Sequence, residues 1–567
     1  MAKHWISKGW LWARTLYLLL AIGLFWLSCF SWDAFLRATV FLMAPCTVLL
    51  VAANLARGQI AWNAYSALLF AVAAIFTQAA VRNGNLSPRG LAIVALGFGL
   101  VLVAPKAFGA SPRHGRYRVC FIAMAAGLAA LLLAALGAYF EWRWLPWMAK
   151  QAARGGHAAS AQVVRARERT QQLKGLTVLT YAWGSMLVAG MLPREADAAY
   201  LRREGRVIDL FMVCSALAFT LPAVVSVFIA RPIALPFLPD EIIGIRQAGL
   251  ISDRIRSLQH PNKVAQLAIV GALFALHRLM NGSGRALRGM LIASMVVFAM
   301  ALAHTQSRGG NIAMGLGVGA LVFRWVYRHL KSRRWRVPAG LASGGLALLL
   351  TILLINGLFT ADLLIANRIN AAAHAEGGNL LDSLRQSADE KKSAEKAEAD
   401  AHGRVDTAVD MGDGVVVSRA MASGATEVFS SGRNRIWREG LDYLFHHPAE
   451  LLLGMGSGDV VDRMKAYNPE RFYSYHLHNG FLEALARGGV FMLLGILWML
   501  RLMVKPAIRM LVVGDPDDPG SCVYPVLIGV LLATALVEAV LFTDATAYDI
   551  IFFFAAARVM RPEVRER

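Results

Sequence analysis

Two histidines and an asparagine stand together in the stretch YSYHLHNGFLEALARGGV, residues 473–490. Histidine titrates near neutral pH and can accept the proton of a hydroxyl group while that hydroxyl attacks another centre. His476, His478 and Asn479 are therefore candidate catalytic residues, with one imidazole as general base and the amide as the group that orients it. Glu483 follows one helical turn later on the same face. Two alternatives remain: interfacial packing of both rings, and a zinc site, for which an i, i+2 pair without a further ligand is a weak signal.

Arginines stand beside other apolar stretches and are candidates for binding phosphate. Arg308 lies at the junction of two apolar helices in AHTQSRGGNIAMGLG, Arg254 and Arg256 lie in DRIRSLQHPNKVAQLA, and Arg433 lies in SSGRNRIW. A guanidinium binds phosphate oxygens through two parallel hydrogen bonds. The glycines after Arg308 favour close helix packing, and an arginine held inside a helical bundle is a functional candidate. The alternative for each arginine is snorkelling toward lipid headgroups.

These residues are embedded in a chain with the composition of an integral membrane protein. Of its 567 residues 57% are hydrophobic and only 17% are charged. Apolar windows of about 20 residues are long enough to cross the bilayer as helices, which satisfy their own backbone groups there. We therefore predict an all-α fold, a polytopic integral membrane helical bundle of about 12–14 transmembrane helices. The candidate spans are residues 12–30, 35–56, 60–81, 90–108, 118–140, 175–192, 207–229, 264–280, 288–303, 309–327, 338–358, 480–504, 523–541 and 545–560.

The distribution of basic residues predicts the topology. The segment 324–336 carries six Lys/Arg and no acidic residue, as expected of a cytoplasmic loop. With the N-terminus inside, the spans also place the basic segments 105–118 and 277–288 in the cytoplasm and export the stretch 359–479. Its residues 359–477 hold 13 Lys/Arg against 18 Asp/Glu. The net charge of +21 is therefore a topology signal, and we expect no nucleic-acid partner.

The same spans divide the chain into three regions. Transmembrane helices occupy residues 1–358, a large exported loop with helical character occupies 359–479, and C-terminal transmembrane helices occupy 480–567. The histidines and the four candidate arginines then share the exported face. One segment, 141–174, carries seven Lys/Arg on that face, and we expect it to lie along the membrane surface with its tryptophans at the interface.

Together, these stretches resemble the O-antigen ligase and polymerase superfamily of bacterial envelope glycosyltransferases. The resemblance rests on Ser-Arg-Gly at 307–309, on the Ser-Gly-Arg…Trp…Pro…Gly-x-Gly run within 431–456, and on His478-Asn479 before a glycine-containing apolar helix. It covers roughly residues 250–500. Gly489 stands at the spacing of the family pattern, whereas Met492 stands where the pattern has Gly, Thr or Tyr.

The resemblance implies a metal-independent, inverting transfer of a glycan from undecaprenyl pyrophosphate to an acceptor hydroxyl, on the periplasmic face of the bacterial inner membrane. By analogy Arg308, with Arg254 or Arg256, holds the pyrophosphate, Arg433 joins this binding group, and His478 activates the acceptor. The expected partners are the undecaprenyl-pyrophosphate-linked glycan donor, a lipid A-core acceptor and membrane lipids. We expect no cofactor and no metal; the sequence contains no GxxxxGK[ST] motif, no convincing Rossmann fingerprint and no CxxC site.

Several functions share these features. The resemblance favours a ligase that joins O-antigen to lipid A-core, and the alternatives within the superfamily are an O-antigen or exopolysaccharide polymerase and a protein O-oligosaccharyltransferase. A lipid-linked oligosaccharide flippase would also be polytopic and carry arginines in the membrane. Transporters of that kind commonly contain related halves, and this sequence shows no internal repeat.

Overall fold

The structure is a computed structural model, and it describes only part of the chain. The described parts are residues 2–28, scattered positions from 38 to 50, 198–228, 233–235, 238–245, 255–256, 261–375 without 283 and 306, 433–455, 460–467, 476–513, 522–538, 541 and 547–559. Arg254, the basic segment 141–174 and much of the predicted exported loop lie outside these parts.

The described residues form helices and three short strands. The helices are α1 (Ala2–Ser28), α2 (Ala198–Phe228), α3 (Pro261–Met280), α4 (Arg285–Thr305), α5 (Arg308–His329), α6 (Arg336–Ala375), α7 (Arg433–His446), α8 (Pro448–Leu453), α9 (Val460–Tyr467), α10 (Gly480–Val512), α11 (Val523–Ala535) and α12 (Ala547–Val559). The strands are β1 (Ile233–Leu235), β2 (Leu238–Ile245) and β3 (Ile255–Arg256).

Several of these helices have the length and composition of membrane spans, which confirms a helical polytopic membrane protein. Four described helical segments are long and apolar enough to cross a bilayer: Ala199–Val225, Arg285–Thr305, Gly309–His329 and Arg336–Leu358. Shorter apolar helices cover Leu11–Leu24, Val264–Met280 and Val523–Ala535. The spans predicted from 60 to 192 lie outside the described residues, so the total number of helices stays a prediction.

The small sheet between α2 and α3 was not expected from the sequence. β1 pairs antiparallel with β2, with Ile233 opposite Ile243, and β2 pairs with β3, with Gly244 opposite Arg256. β1 and β3 have only three and two residues, and β2 contains Pro239, so the strands do not stand out beside the long apolar spans, although their isoleucines favour extended structure. The sheet connects the end of α2 to the beginning of α3.

Glycines allow α5 to pack closely against α6, as the sequence predicted. A Cβ atom added to Gly319 would lie 2.7 Å from the carbonyl oxygen of Gly344, and one added to Gly344 would lie 2.8 Å from that of Gly319. Small residues at such a crossing let two membrane helices gain van der Waals contact along their backbones. The crossing fixes α5, and with it the position of Arg308.

Helices α7, α8 and α9 form a cap over the first half of α10. Buried side chains of the cap and α10 share one apolar cluster, which includes Leu444, Met464, Leu477 and Leu485. Burial of each such side chain away from water contributes about 1.5–3 kcal/mol. The cluster therefore holds the cap on α10.

The closest approach of the cap to α10 is made by two glycines with positive φ. Gly454 follows α8 with φ 79°, and Gly489 interrupts α10 with φ 70°. A Cβ on Gly454 would lie 2.2 Å from the carbonyl oxygen of Arg487, and one on Gly489 would lie 2.3 Å from that of Leu452. The backbone N–H of Met455 also donates a hydrogen bond of 2.8 Å to α10. This crossing explains why the sequence has glycine at both positions.

Buried charges connect helices elsewhere in the bundle. Glu204 of α2 binds Arg14 of α1 and, at 2.9 Å, Arg558 of α12. Arg324 of α5 donates to the backbone carbonyls of Met510, at 2.6 Å, and of the next residue, at the end of α10. These contacts join helices that are far apart in the sequence.

Candidate active site

The histidine stretch enters α10 through Asn479, which is the N-cap of this helix. The side-chain Oδ1 of Asn479 accepts hydrogen bonds from the N–H groups of Phe481 and Leu482, at 2.9 and 3.0 Å. Its Nδ2 donates to the carbonyl oxygen of Leu536 at 3.0 Å. An asparagine N-cap satisfies N–H groups that have no partner within the helix. Asn479 thus positions the stretch through backbone groups, whereas the sequence suggested that it orients an imidazole.

The turn after α11 brings a carboxylate to His478. Glu538 lies beyond the last helical residue, Ala535, and its Oε2 is 3.3 Å from Nδ1 of His478. Its Oε1 accepts a hydrogen bond from Nη2 of Arg433, the first residue of α7. The side chain of Glu538 is 10% exposed, that of Arg433 20% and that of His478 26%. The three groups form a partly buried charged chain.

The charge state of Glu538 fixes the tautomer of His478. Burial alone would raise the pKa of Glu538, but the hydrogen bond from His478 and the positive charge of Arg433 outweigh burial and hold this pKa below its ordinary value. Glu538 is therefore a carboxylate at neutral pH. A carboxylate only accepts hydrogen bonds, so Nδ1 of His478 carries the proton. Its Nε2 is left to accept one.

His476 packs against His478. The ring centroids are 3.9 Å apart, and Nδ1 of His476 accepts a hydrogen bond of 3.3 Å from the backbone N–H of His478. Among the described residues, His478 is the one non-glycine residue with positive φ, at 52°. Such a conformation costs about 1–2 kcal/mol, and strain of this kind concentrates at functional sites.

A second buried carboxylate holds the backbone of the histidine stretch. Oε1 of Glu483 accepts a hydrogen bond of 2.8 Å from the N–H of Leu477, and Oε2 accepts one of 3.0 Å from Nε of Arg487. The side chain of Glu483 is 1% exposed. Glu483 therefore fixes the chain between the two histidines instead of contacting either ring through these bonds.

The beginning of α5 lies beside the turn that carries Glu538. Ser307 caps α5 by accepting a hydrogen bond of 3.1 Å from the N–H of Gly310. A Cβ added to Gly309 would lie 3.4 Å from the side chain of Val537. Arg308, the first residue of α5, thus begins its helix next to this turn, although its side chain is outside what the structure describes.

The other predicted arginines are less completely described. Arg256 lies in β3, which contacts α2, α3 and α4, but the structure does not describe its side chain. Arg254 lies outside the described residues. Within the described parts of the chain, no group of three or more His, Cys, Asp or Glu side chains is arranged to hold a metal, and metal independence stays a prediction.

Sequence reasoning missed Glu538 as a site residue. It is the only charged residue in the predicted span 523–541. An ionisable residue in such a span is a functional candidate by default, and this signal alone would have found it.

Comparison with known families gives a match that includes several of these residues. Residues 293–497 match the family model described as O-antigen ligase. This region belongs to the O-antigen ligase and polymerase superfamily. The match begins in α4 and ends in α10, so it includes Arg308, Arg433 and His478, whereas Arg256 and Glu538 lie outside it. No curated protein matches the chain.

The O-antigen ligase match lies within the predicted range of about 250–500 and confirms the resemblance. Its superfamily consists of membrane enzymes that use lipid-linked glycans, consistent with the apolar helices of this multi-pass chain. Met492, which departs from the family pattern, is 2% exposed. It packs over Gly488, where an added Cβ would lie 2.1 Å from the sulfur of Met492.

Proposed function

We propose that this protein is an O-antigen ligase that transfers a glycan from undecaprenyl pyrophosphate to a sugar hydroxyl of lipid A-core at the periplasmic face of the inner membrane. The observation that carries the proposal is the contact of His478, which lies in the region that matches the O-antigen ligase family model, with Glu538, beside the beginning of α5. This arrangement supplies an oriented base next to a candidate pyrophosphate-binding arginine.

His478 acts as the general base in this reaction. The acceptor oxygen attacks the anomeric carbon of the donor from the face opposite the pyrophosphate, and the bond from that carbon to the pyrophosphate oxygen breaks with inversion. The hydroxyl proton passes to Nε2 of His478, while Glu538 holds Nδ1 and stabilises the imidazolium that forms. The other product is undecaprenyl pyrophosphate.

The leaving pyrophosphate needs positive charge. Arg308, with Arg254 or Arg256, supplies it in the proposed reaction, since positive groups already in place where negative charge develops stabilise the transition state. Three helices, α5, α7 and α10, also begin around the turn that carries Glu538. The N-terminal end of a helix carries partial positive charge, which favours an anion at this place.

A transfer assay tests the proposal. Purified full-length protein in detergent is mixed with undecaprenyl-pyrophosphate-linked glycan and lipid A-core in the presence of EDTA. We expect transfer by the wild type and a loss of about 10²-fold or more in His478→Ala and Arg308→Ala, since a general base typically contributes that much. Arg438→Ala is the matched control, because this arginine is exposed on α7.

The outcomes separate the related functions. Lengthening of the donor glycan without transfer to core would identify a polymerase, and transfer to a protein serine would identify a protein oligosaccharyltransferase. Unchanged transfer in a folded His478→Ala variant would contradict the assignment of the base. In cells, deletion of a ligase leaves bare core with long undecaprenyl-linked chains, whereas deletion of a polymerase leaves single repeat units.

A further inference from the structure

Glu538 divides its two carboxylate oxygens between a base and an arginine. Oε2 lies 3.3 Å from Nδ1 of His478, and Oε1 pairs with Nη2 of Arg433. The negative charge that supports the imidazole is thus partly neutralised by a guanidinium on a different helix. Because the three side chains are at most 26% exposed, solvent screens this interaction less than at an open surface.

Arg433 has the chemistry to bind a second anion. A guanidinium carries five N–H donors, and within the described residues only Nη2 of Arg433 is used on Glu538. The remaining donors suit a phosphate group, which guanidinium binds through paired hydrogen bonds. Arg433 also begins α7 beside the turn that adjoins the start of α5, where Arg308 stands.

We propose that Arg433 is shared between Glu538 and the pyrophosphate of the donor, so that donor binding draws the guanidinium away from Glu538 and makes His478 a stronger base. The inference rests on the proposed function, because it requires a pyrophosphate-linked donor at this site. Arg433 is then a positioning residue that acts on His478 through Glu538. His478 then has its highest proton affinity only when the pyrophosphate of the donor is bound.

Other charged groups lie around His478, and the experiment has to separate their effects on the imidazole from the effect of Arg433. His476 lies on the same stretch, Glu538 follows α11, Arg433 begins α7 and Arg308 begins α5. A bound pyrophosphate also places its own negative charge near the imidazole. Each substitution or added ligand is therefore tested twice, once with the native Glu538 and once in the Glu538→Gln variant. The difference between the two effects on the proton affinity of His478 is the part that depends on the Glu538 carboxylate.

A double-mutant cycle without donor tests the first half of the proposal. His478 in the full-length protein is modified with diethyl pyrocarbonate at a series of pH values, and the pH of half-modification reports its proton affinity. Tandem mass spectrometry distinguishes modified His478 from modified His476. We expect Arg433→Gln to raise this proton affinity about tenfold, because the Glu538 carboxylate beside His478 is then no longer partly neutralised and a close opposite charge shifts a titration by at least that order. In the Glu538→Gln background the same substitution should have a much smaller effect.

Equal effects of Arg433→Gln in both backgrounds would overturn the proposal. Arg438→Gln, on the exposed face of the same helix, is the matched control and should leave the modification profile of His478 unchanged. Size-exclusion elution and thermal melting establish folding of each variant, and Arg433→Met is the second neutral variant if the glutamine form does not fold.

Addition of undecaprenyl pyrophosphate, without glycan or acceptor, tests the second half. In the wild type we expect the proton affinity of His478 to rise, and in Glu538→Gln to rise clearly less, because there only the charge of the added pyrophosphate acts. Identical shifts in the two proteins would overturn the proposal. The readout involves no glycan transfer, so failure here leaves the ligase assay standing. A negative ligase assay with positive results in both halves would reject the ligase and keep the sharing of Arg433 with a bound pyrophosphate.

Discussion

His476 and His478 have different hydrogen-bond partners, and this difference supports His478 as the proposed base. His478 has a carboxylate at Nδ1, so its Nε2 is oriented and can accept a proton. His476 uses its Nδ1 on a backbone N–H and supports the conformation of its neighbour. Two histidines separated by one residue look equivalent in the sequence, and the carboxylate that hydrogen-bonds His478 is distant in the chain.

Replacement of Glu538 by glutamine should change both the rate and its pH dependence. The Glu538 carboxylate accepts the hydrogen bond of Nδ1 of His478, so its replacement takes away the negative charge beside the imidazole. We expect the acidic limb of the rate profile to move to lower pH and the maximal transfer rate to fall about 10²-fold, because the base becomes weaker and less well oriented. Transfer rates from pH 5 to 9 test this prediction, with Asp442→Asn, an exposed change on α7, as control. An unmoved acidic limb would contradict it.

The pairing of Glu538 should also contribute to stability in a pH-dependent way. Its pKa is lower in the folded protein than in the unfolded chain, so the stabilisation is present above the unfolded value of about 4.3 and disappears as pH falls through the folded value. We expect the Tm difference between wild type and Glu538→Gln to shrink as pH falls from 6 to 3. Melting curves in detergent measure it, and a constant difference would contradict the prediction.

At the scale of elements, α5 and α10 form a frame for the site. Each begins there, at Ser307 and Asn479, with its own side-chain cap. Near the opposite ends of the two helices, Arg324 of α5 binds carbonyl groups at the end of α10. The glycine crossing of Gly454 and Gly489 then fixes the cap on α10, and the cap carries Arg433.

Gly489→Ala should destabilise the protein. The substitution places a Cβ at φ 70° and 2.3 Å from the carbonyl oxygen of Leu452. The conformational cost alone is about 1–2 kcal/mol, and the backbone contact adds to it. We expect a lower Tm and reduced transfer, because the cap must move away from α10. Gly345→Ala, which would meet nothing within 4 Å, is the matched control, and an equal Tm for the two variants would contradict the prediction.

Different parts of this frame were predictable to different degrees. Hydropathy identifies the long helices because each apolar window is a local property, and the glycines after Arg308 predict the close packing of α5. The contact of His478 with Glu538 joins residues 60 positions apart, on either side of a helical hairpin, and no local pattern encodes it. The kink at Gly489 likewise depends on the partner that approaches it.

At the scale of the whole molecule, a buried charge cluster joins the two ends of the chain. Glu204 binds Arg14 near the N-terminus and Arg558 near the C-terminus, and Tyr200 donates a hydrogen bond of 3.1 Å to the same carboxylate. The side chain of Glu204 is 0% exposed and those of the two arginines are 2% and 1% exposed. One carboxylate thus holds α1 and α12 against α2.

Glu204→Gln should therefore have a large effect on stability. It removes the negative charge that both buried guanidinium groups bind, and breaking a buried ion pair on one side typically costs about 3–5 kcal/mol. We expect a marked fall in Tm and faster proteolysis at the chain ends. The control is Arg203→Gln, an exposed change at the neighbouring position. A Tm like that of wild type would show that the cluster contributes little.

The distance in sequence between His478 and Glu538 has a consequence for biosynthesis. The proposed base and its carboxylate lie on either side of α10 and α11, so both helices must be inserted before the base acquires its carboxylate. The start of α5 is made and inserted much earlier. A nascent or truncated chain that stops before Glu538 therefore lacks the oriented base, and we expect no transfer activity from it.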